Sequence, residues 1–336
     1  MIIETAAYAR AGLIGNPSDG YYGKTISLSV RNFEAKVTLY QTPEMEIVPN
    51  VRDRSFFDSM ESLVQDVNLH GYYGGVRLVK ATIKSFSDYC TQNGIKLERK
   101  NFTIRYQSNI PRQVGLAGSS AIITAALRAL MAYYQVDIPK PIQANLILSV
   151  ETNELGISAG LQDRVIQVYE GLVFMNFSKE IMERQGYGDY QPLDPQLLPP
   201  LYMAYQTDLS EYSGVFHDNI RQRFDAGEKM VVKAMKFFAQ KAEEAKECLL
   251  KGEPEKLGPL MNANFDKRRD IYTVSPQNLK LVGIARECGA SAKFSGSGGC
   301  IIGTYEDEEV YYKLKERLKE INVEVFKPII TGGQDG

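Results

Sequence analysis

The chain has 336 residues, 39 of them basic and 41 acidic, for a net charge of −2 with both histidines neutral. Hydrophobic residues make up 44% and charged residues 24%, which excludes a disordered, collagen-like or coiled-coil protein, and the near-neutral balance argues against a nucleic-acid partner. At roughly 150 residues per domain the length predicts about two domains.

In chain order, Met1–Gly15 carries Glu4 and Arg10 within its apolar stretch and has no basic leader, so no signal peptide is expected. Strand-like runs follow at Ile26–Val30, Ala35–Tyr40 and Met45–Val48, after turn residues Asn16-Pro17-Ser18-Asp19-Gly20. Leu69–Gln92 is expected as a helix, with Val76, Val79, Ile83 and Phe86 on one face. Phe102–Tyr106 reads as a strand, Ser119–Tyr134 as a second helix, and Ile142–Leu155 as a third, entered through Pro141 and stopped by Gly156. Leu172–Phe177 is another predicted strand. Gly186–Pro200, with Pro192, Pro195, Pro199 and Pro200, is the expected linker. Beyond it come a strand (Tyr202–Thr207) and a long amphipathic helix (Met230–Leu250). The tail reads helix (Pro276–Cys288), strand (Ala290–Phe294), glycine-rich turn, strand (Ile301–Tyr305), helix (Glu308–Ile321), strand (Val323–Lys327), then a loose end from Thr331. This succession predicts an α+β sandwich with helices on one face of an antiparallel sheet.

Several chemistries are excluded by what is scarce. Cys90, Cys248, Cys288 and Cys300 contain no C-x-x-C pair, so neither a disulfide framework nor a zinc site is expected. Two histidines, His70 and His217, cannot make a His-rich metal site, and both read as structural. The longest nearly apolar run, Gly115–Leu127, falls short of the ~20 residues that span a bilayer. A reduced cytoplasmic chain without a membrane partner is expected.

Three glycine-rich segments could cradle phosphate. Gly23-Lys24-Thr25 resembles the end of a Walker A loop, but that loop's first glycine would fall at Ser18. Gly296-Ser297-Gly298 opens like a dinucleotide fingerprint, but Ile301 stands where the third glycine belongs and no helix follows. The third, Pro111-Arg112-Gln113-Val114-Gly115-Leu116-Ala117-Gly118-Ser119-Ser120-Ala121, leaves a strand and opens a helix. Its glycines let backbone approach a ligand, and Ser119 and Ser120 fall where the first helical N–H groups are unpaired. With the positive end of the helix dipole this makes an anion site, suited to a nucleotide's phosphates. Taken alone, the same residues also make a simple Gly-Ser helix cap.

That third segment resembles the central motif of the GHMP kinases (galactokinase, homoserine kinase, mevalonate kinase, phosphomevalonate kinase). Ala9-Arg10-Ala11-Gly12-Leu13-Ile14-Gly15-Asn16-Pro17-Ser18-Asp19 resembles their N-terminal substrate motif, and Lys293-Phe294-Ser295-Gly296-Ser297-Gly298-Gly299-Cys300 their C-terminal glycine loop. Within the family, His70–Lys84 and Ile110–Ser120 resemble the branch that phosphorylates D-glucuronate. The resemblance implies a two-domain α+β fold: a ribosomal-protein-S5-domain-2-like, ATP-binding domain over 1–190, and a ferredoxin-like α/β sandwich over 200–330.

The resemblance also implies roles. ATP phosphates fall to Gly115, Leu116, Ala117, Gly118, Ser119, Ser120 and Ala121, and Mg²⁺ to Ser120 and Glu151. Apart from the family pattern Glu151 reads as a solvated helix carboxylate, a part Glu154 would fill equally. Gly156-Ile157-Ser158-Ala159-Gly160-Leu161-Gln162-Asp163 matches the family's G-x-x-D turn, which makes Asp163 the carboxylate that orients or deprotonates the acceptor hydroxyl and Arg10 the cation beside it. Asp163 is also placed to cap a helix. Asp19, Gly296, Ser297 and Gly298 would contact the substrate. Asn16-Pro17-Ser18 replaces the acidic-His-Thr run of galactokinases, which disfavours galactose. A uronic acid would call for a bidentate arginine, with Arg112, Arg164, Arg221 and Arg223 as candidates. Tyr212-Ser213-Gly214 is a candidate closing loop or a plain turn. The implied reaction is ATP-dependent phosphorylation of a small-molecule sugar or sugar acid, D-glucuronate at its anomeric hydroxyl. The alternatives are a galacturonate- or galactose-type sugar, a mevalonate-type alcohol, or a non-catalytic nucleotide- or sugar-binding regulator.

Overall fold

The computed structural model describes residues 2–50, 60, 74–207 and 220–331. His70, His217, Tyr212-Ser213-Gly214 and the expected helical residues 69–73 lie outside the described residues. The strands are β1 (Ile2–Ile14), β2 (Lys24–Gln41), β3 (Glu46–Val48), β4 (Phe102–Ser108), β5 (Leu172–Asn176), β6 (Asp189–Leu193), β7 (Leu201–Gln206), β8 (Lys293–Phe294), β9 (Cys300–Thr304) and β10 (Val323–Phe326). The helices are α1 (Gly75–Gln92), α2 (Gly118–Tyr134), α3 (Lys140–Ser149), α4 (Leu161–Tyr169), α5 (Lys179–Gln185), α6 (Ile220–Asp225), α7 (Lys229–Leu250), α8 (Leu257–Arg269), α9 (Pro276–Glu287) and α10 (Glu308–Lys319). They form two compact units interleaved along the sequence. One is Met1–Ala9, Phe33–Ile110 and Gly118–Val168; the other is Arg10–Asn32, Pro111–Ala117 and Tyr169–Gly336.

In the first unit the C-terminal half of β2 pairs antiparallel with β4, Ala35 opposite Ser108 and Gln41 opposite Phe102. β3 adds to β4 in parallel, with Ile47 opposite Ile104. The sequence of α2 is apolar on nearly every side, and the helix is correspondingly buried almost all round. It packs along α1, and Tyr133 meets Phe102 edge-on with ring centres 5.4 Å apart. Arg128 of α2 donates to Ala6 O at 2.6 Å and Gln167 O at 2.8 Å, tying β1 and α4 to the central helix.

In the second unit the first half of β2 pairs antiparallel with β5, and β5 with β6. A separate antiparallel sheet runs in the order β10-β7-β9-β8. Its core gathers Tyr202, Ile301 and Val323 of the strands with Phe265, Leu281 and Leu314 from α8, α9 and α10. This is the expected sandwich of helices on an antiparallel sheet. α7 buries Val231, Ala234, Met235 and Phe238 in a second cluster with Ile220 and Ile271.

Four differences from the sequence expectations have physical causes. β2 is one continuous strand through the polar stretch Arg31–Glu34, where the Arg31 amide donates to Ile329 O at 3.0 Å and the Glu34 amide to Asn109 Oδ1 at 2.7 Å. β1 is a full strand where only a motif was read. Gly186–Pro200, expected as a linker, contains β6; Pro192 fits there opposite Val173 because β6 is an edge strand, where a missing N–H is tolerated. The third helix stops at Ser149 and widens into a π turn at Val150–Glu154.

Candidate active site

In the first unit, two carboxylates and an arginine sit at the start of α2. Gly118 opens the helix, and the hydroxyl of Ser119 donates to Glu151 Oε1 at 2.8 Å. Arg164 donates to Glu151 Oε2 through Nε at 2.7 Å and through Nη2 as well. Its Nη1 donates to Gly160 O at 2.8 Å and lies 3.4 Å from Asp163 Oδ2. Arg164 therefore bridges Glu151 and Asp163. The Glu151 and Arg164 side chains are only 1% and 5% exposed, whereas Asp163 retains 21%.

Glu151 faces inward and Glu154 does not, although both lie in the π turn Val150–Glu154. Such turns recur at functional sites, and here the bonds from Arg164 hold the side chain of Glu151 inward. Its carbonyl accepts from Ile157 N at 2.7 Å, closing the loop that leads to α4. Glu154 instead pairs at the surface with Lys84 at 2.7 Å. Ser120 is fully buried beside Ser119.

In the second unit the loop Pro111–Ala117, which leads directly into α2, is held by Arg10. The Arg10 amide donates to Leu116 O at 3.3 Å and Nη1 to Gly115 O at 2.6 Å. Gly115 has φ +72°, and a Cβ there would stand 3.0 Å from Gly298 O and 3.2 Å from Ser297 N. A Cβ on Gly296 would meet Gly115 O at 2.5 Å and Arg10 Nη1 at 3.0 Å. Two glycine loops thus approach backbone to backbone, which side chains would prevent. Gly296–Gly298 lies between β8 and β9 and Lys24–Thr25 lies within β2, so neither discarded phosphate motif leads into a helix.

Asp19 falls in a 3-10 turn, Ser18–Tyr21. The preceding turn is fastened by Lys293, whose Nζ donates to Gly12 O, Asn16 Oδ1 and Phe294 O, each at 2.7 Å. Burial pushes this ammonium well below its ordinary pKa, and the positive charges of Arg268 and Arg10 add to the shift. Arg268, also buried, donates to Gly296 O at 2.9 Å.

Of the four candidate arginines, Arg164 is committed to Glu151, and Arg223 to Glu228 through two bonds of 2.7 and 2.8 Å. Arg221 donates to Gly20 O and lies over the Tyr21 ring at 4.4 Å. Arg112 is exposed. Arg10 belongs to the second unit and Asp163 to the first. Sequence reasoning gave no role to Lys293 or Arg268. Arg268 lies in the basic run Lys267-Arg268-Arg269 at the end of α8, which reads from sequence as a solvated helix terminus.

The first unit thus carries a glycine-serine helix start beside a buried carboxylate, and the second carries two glycine loops packed backbone to backbone. The pattern of the GHMP kinases N terminal domain matches residues 77–171, and that of the GHMP kinases C terminal matches 245–323. The chain belongs to the GHMP kinase family. It is 46% identical over 306 residues to glucuronokinase 1 of Arabidopsis thaliana, covering 89% of this chain and 84% of that protein. Probable glucuronokinase 2 of the same plant is 46% identical over 308 residues, covering 90% and 84%. Among solved structures, Lactococcus lactis galactokinase complexed with galactose superposes with a TM-score of 0.75 at 14% identity, over 99% of this chain and 94% of that one. Among the described residues no helix is long and apolar enough to cross a membrane.

Proposed function

We propose that the chain transfers the γ-phosphoryl group of ATP to the anomeric hydroxyl of D-glucuronate, giving ADP and D-glucuronate 1-phosphate. The 46% identity to glucuronokinase 1 over most of the chain carries this reading, and the Ser119–Glu151–Arg164 constellation, with its carboxylate and guanidinium buried, supports it. In this reading residues 1–190 form the ATP-binding domain and 200–330 the C-terminal domain, in the cytoplasm. The loop and helix start from Gly115 to Ala121 take the phosphates on backbone N–H groups and serine hydroxyls. Asp19 and Gly296–Gly298 contact the acceptor.

The donor set suits magnesium: a serine hydroxyl and one carboxylate are hard oxygen ligands, completed by phosphate oxygens and water. Among the described residues no group of three or more His, Cys, Asp or Glu could cage a metal, which fits an ion that enters with the nucleotide. Ser120 and Glu151 would hold it, and its charge would offset that of the phosphates. Arg164 keeps Glu151 aimed through its hydrogen bonds to Oε2. Asp163 accepts or orients the proton of the anomeric hydroxyl as that oxygen bonds to the γ-phosphorus and the bond to the ADP oxygen breaks. Arg10 adds positive charge where the phosphoryl group develops negative charge.

The test is an acceptor panel with coupled ADP detection, alongside Asp163→Ala. D-glucuronate should be preferred over neutral sugars and mevalonate, and the variant should lose turnover while still binding nucleotide. Equal use of neutral sugars defeats the acceptor assignment; retained kcat defeats the role of Asp163.

A further inference from the structure

Arg268 is nearly fully buried in the second unit, stacked on the rings of Tyr272 and Phe294 at 4.9 and 5.2 Å. Its Nη1 is spent on the carbonyl of Gly296. Nε is buried without a hydrogen-bond partner, and Nη2 has none among the described residues. These two nitrogens share one edge of the guanidinium, the edge that grips a carboxylate with two parallel bonds. A buried cation satisfied by a neutral carbonyl has lost hydration that a full counter-charge would replace.

The surroundings favour an anion. Lys293 is buried with three neutral acceptors, and Arg10 donates to the carbonyls of Gly115 and Ser295. Arg268 touches the glycine loop through Gly296 and feels the charge of Asp19, so it is associated with the two segments assigned to the acceptor. The phosphates, by contrast, have the helix start to receive them.

We propose that Arg268 is the specificity-determining residue that takes the carboxylate of the uronic acid acceptor on its Nε–Nη2 edge. This rests on the uronate reading above and names the group that enforces it. Asp19 then reads a hydroxyl while Arg268 reads the acid, and a neutral hexose leaves the fork unpaired.

The test compares D-glucuronate with D-glucuronamide, which keeps every hydroxyl and loses the charge, in wild type, Arg268→Gln, Arg268→Lys and Arg221→Gln. In Arg268→Gln, kcat/KM for D-glucuronate should fall about 100- to 1,000-fold, mostly through KM. D-glucuronamide and ATP kinetics should stay within about threefold. Arg268→Lys, a point charge without the fork, should lose about 10-fold on the acid, and it decides the matter if the glutamine variant does not fold. Arg221→Gln should keep the preference for the acid. An unchanged acid-to-amide preference in the Arg268 variants overturns the proposal, as does an equal loss for both acceptors and ATP, which marks a phosphoryl contact. Loss of the preference in Arg221→Gln alone moves the site to Arg221. A wild type that does not prefer the acid overturns the functional reading itself.

Discussion

Replacing Arg164 with methionine leaves the Glu151 carboxylate, 1% exposed, without its cation. Two hydrogen bonds to Oε2 disappear, as does the bond to Gly160 O. Breaking a buried pair by removing one partner costs about 3–5 kcal/mol, because the remaining charge stays desolvated. Unfolding entropy of about 2.1 cal/mol/K per residue gives ~0.7 kcal/mol/K over the chain, so Tm should drop by about 4–7 °C. Glu151→Leu combined with Arg164→Met removes both charges, and replacing a buried pair with apolar groups is often neutral or stabilising. The double variant should therefore recover most of the lost Tm while remaining inactive, since it lacks the proposed metal ligand. Differential scanning calorimetry on wild type, both single variants and the double variant closes the cycle. A single variant within 1 °C of wild type, or a double variant no better than Arg164→Met, refutes the view that an uncompensated buried charge sets the cost.

Two further perturbations have signs that follow from the structure. Gly296→Ala forces a Cβ against Gly115 O and Arg10 Nη1 and should destabilise by about 1–3 kcal/mol, whereas Gly283→Ala, in α9 with nothing within 4 Å, should be neutral or gain up to about 1 kcal/mol; equal urea midpoints for the two would show that space is not what decides. Burial pushes the Cys300 thiol up to about 12 from an ordinary 9.0, so the stability it contributes is fully present below about pH 9 and lost as pH climbs toward 12. One proton is worth about 1.4 kcal/mol per pH unit, and the fall of unfolding free energy between pH 9 and 11 should be shallower by up to that slope in Cys300→Ala; parallel curves would contradict it.

Elements with their own local signals were legible. α9 begins where Ser275 caps the amide of Asn278 and Pro276 opens the helix, and α10 begins where Asp307 caps Val310. Both carry apolar periodicity that burial then uses. β6 was not legible, because its proline reads as a breaker until an edge position removes the need for that N–H. α8 was missed because Leu257–Arg269 shows little helical periodicity and Pro259 interrupts its first turn. Its Arg268 was hidden with it.

The sequence by itself determined the chemistry available: a glycine-serine helix start, a few carboxylates and arginines, and the order of three motifs along the chain. These are local properties, set by which residues lack a Cβ, which cap a helix and which carry charge. Tertiary structure decided which of those groups are held and which face a ligand. Glu151 is chosen over Glu154 by its bonds to Ser119 and to an arginine thirteen residues later. Arg268 becomes a candidate recognition residue, and not a surface cation, because its fork is buried against a loop 28 residues away in the sequence. Burial and partnership depend on segments that meet only on folding, and the desolvation that gives these charges their strength exists only there.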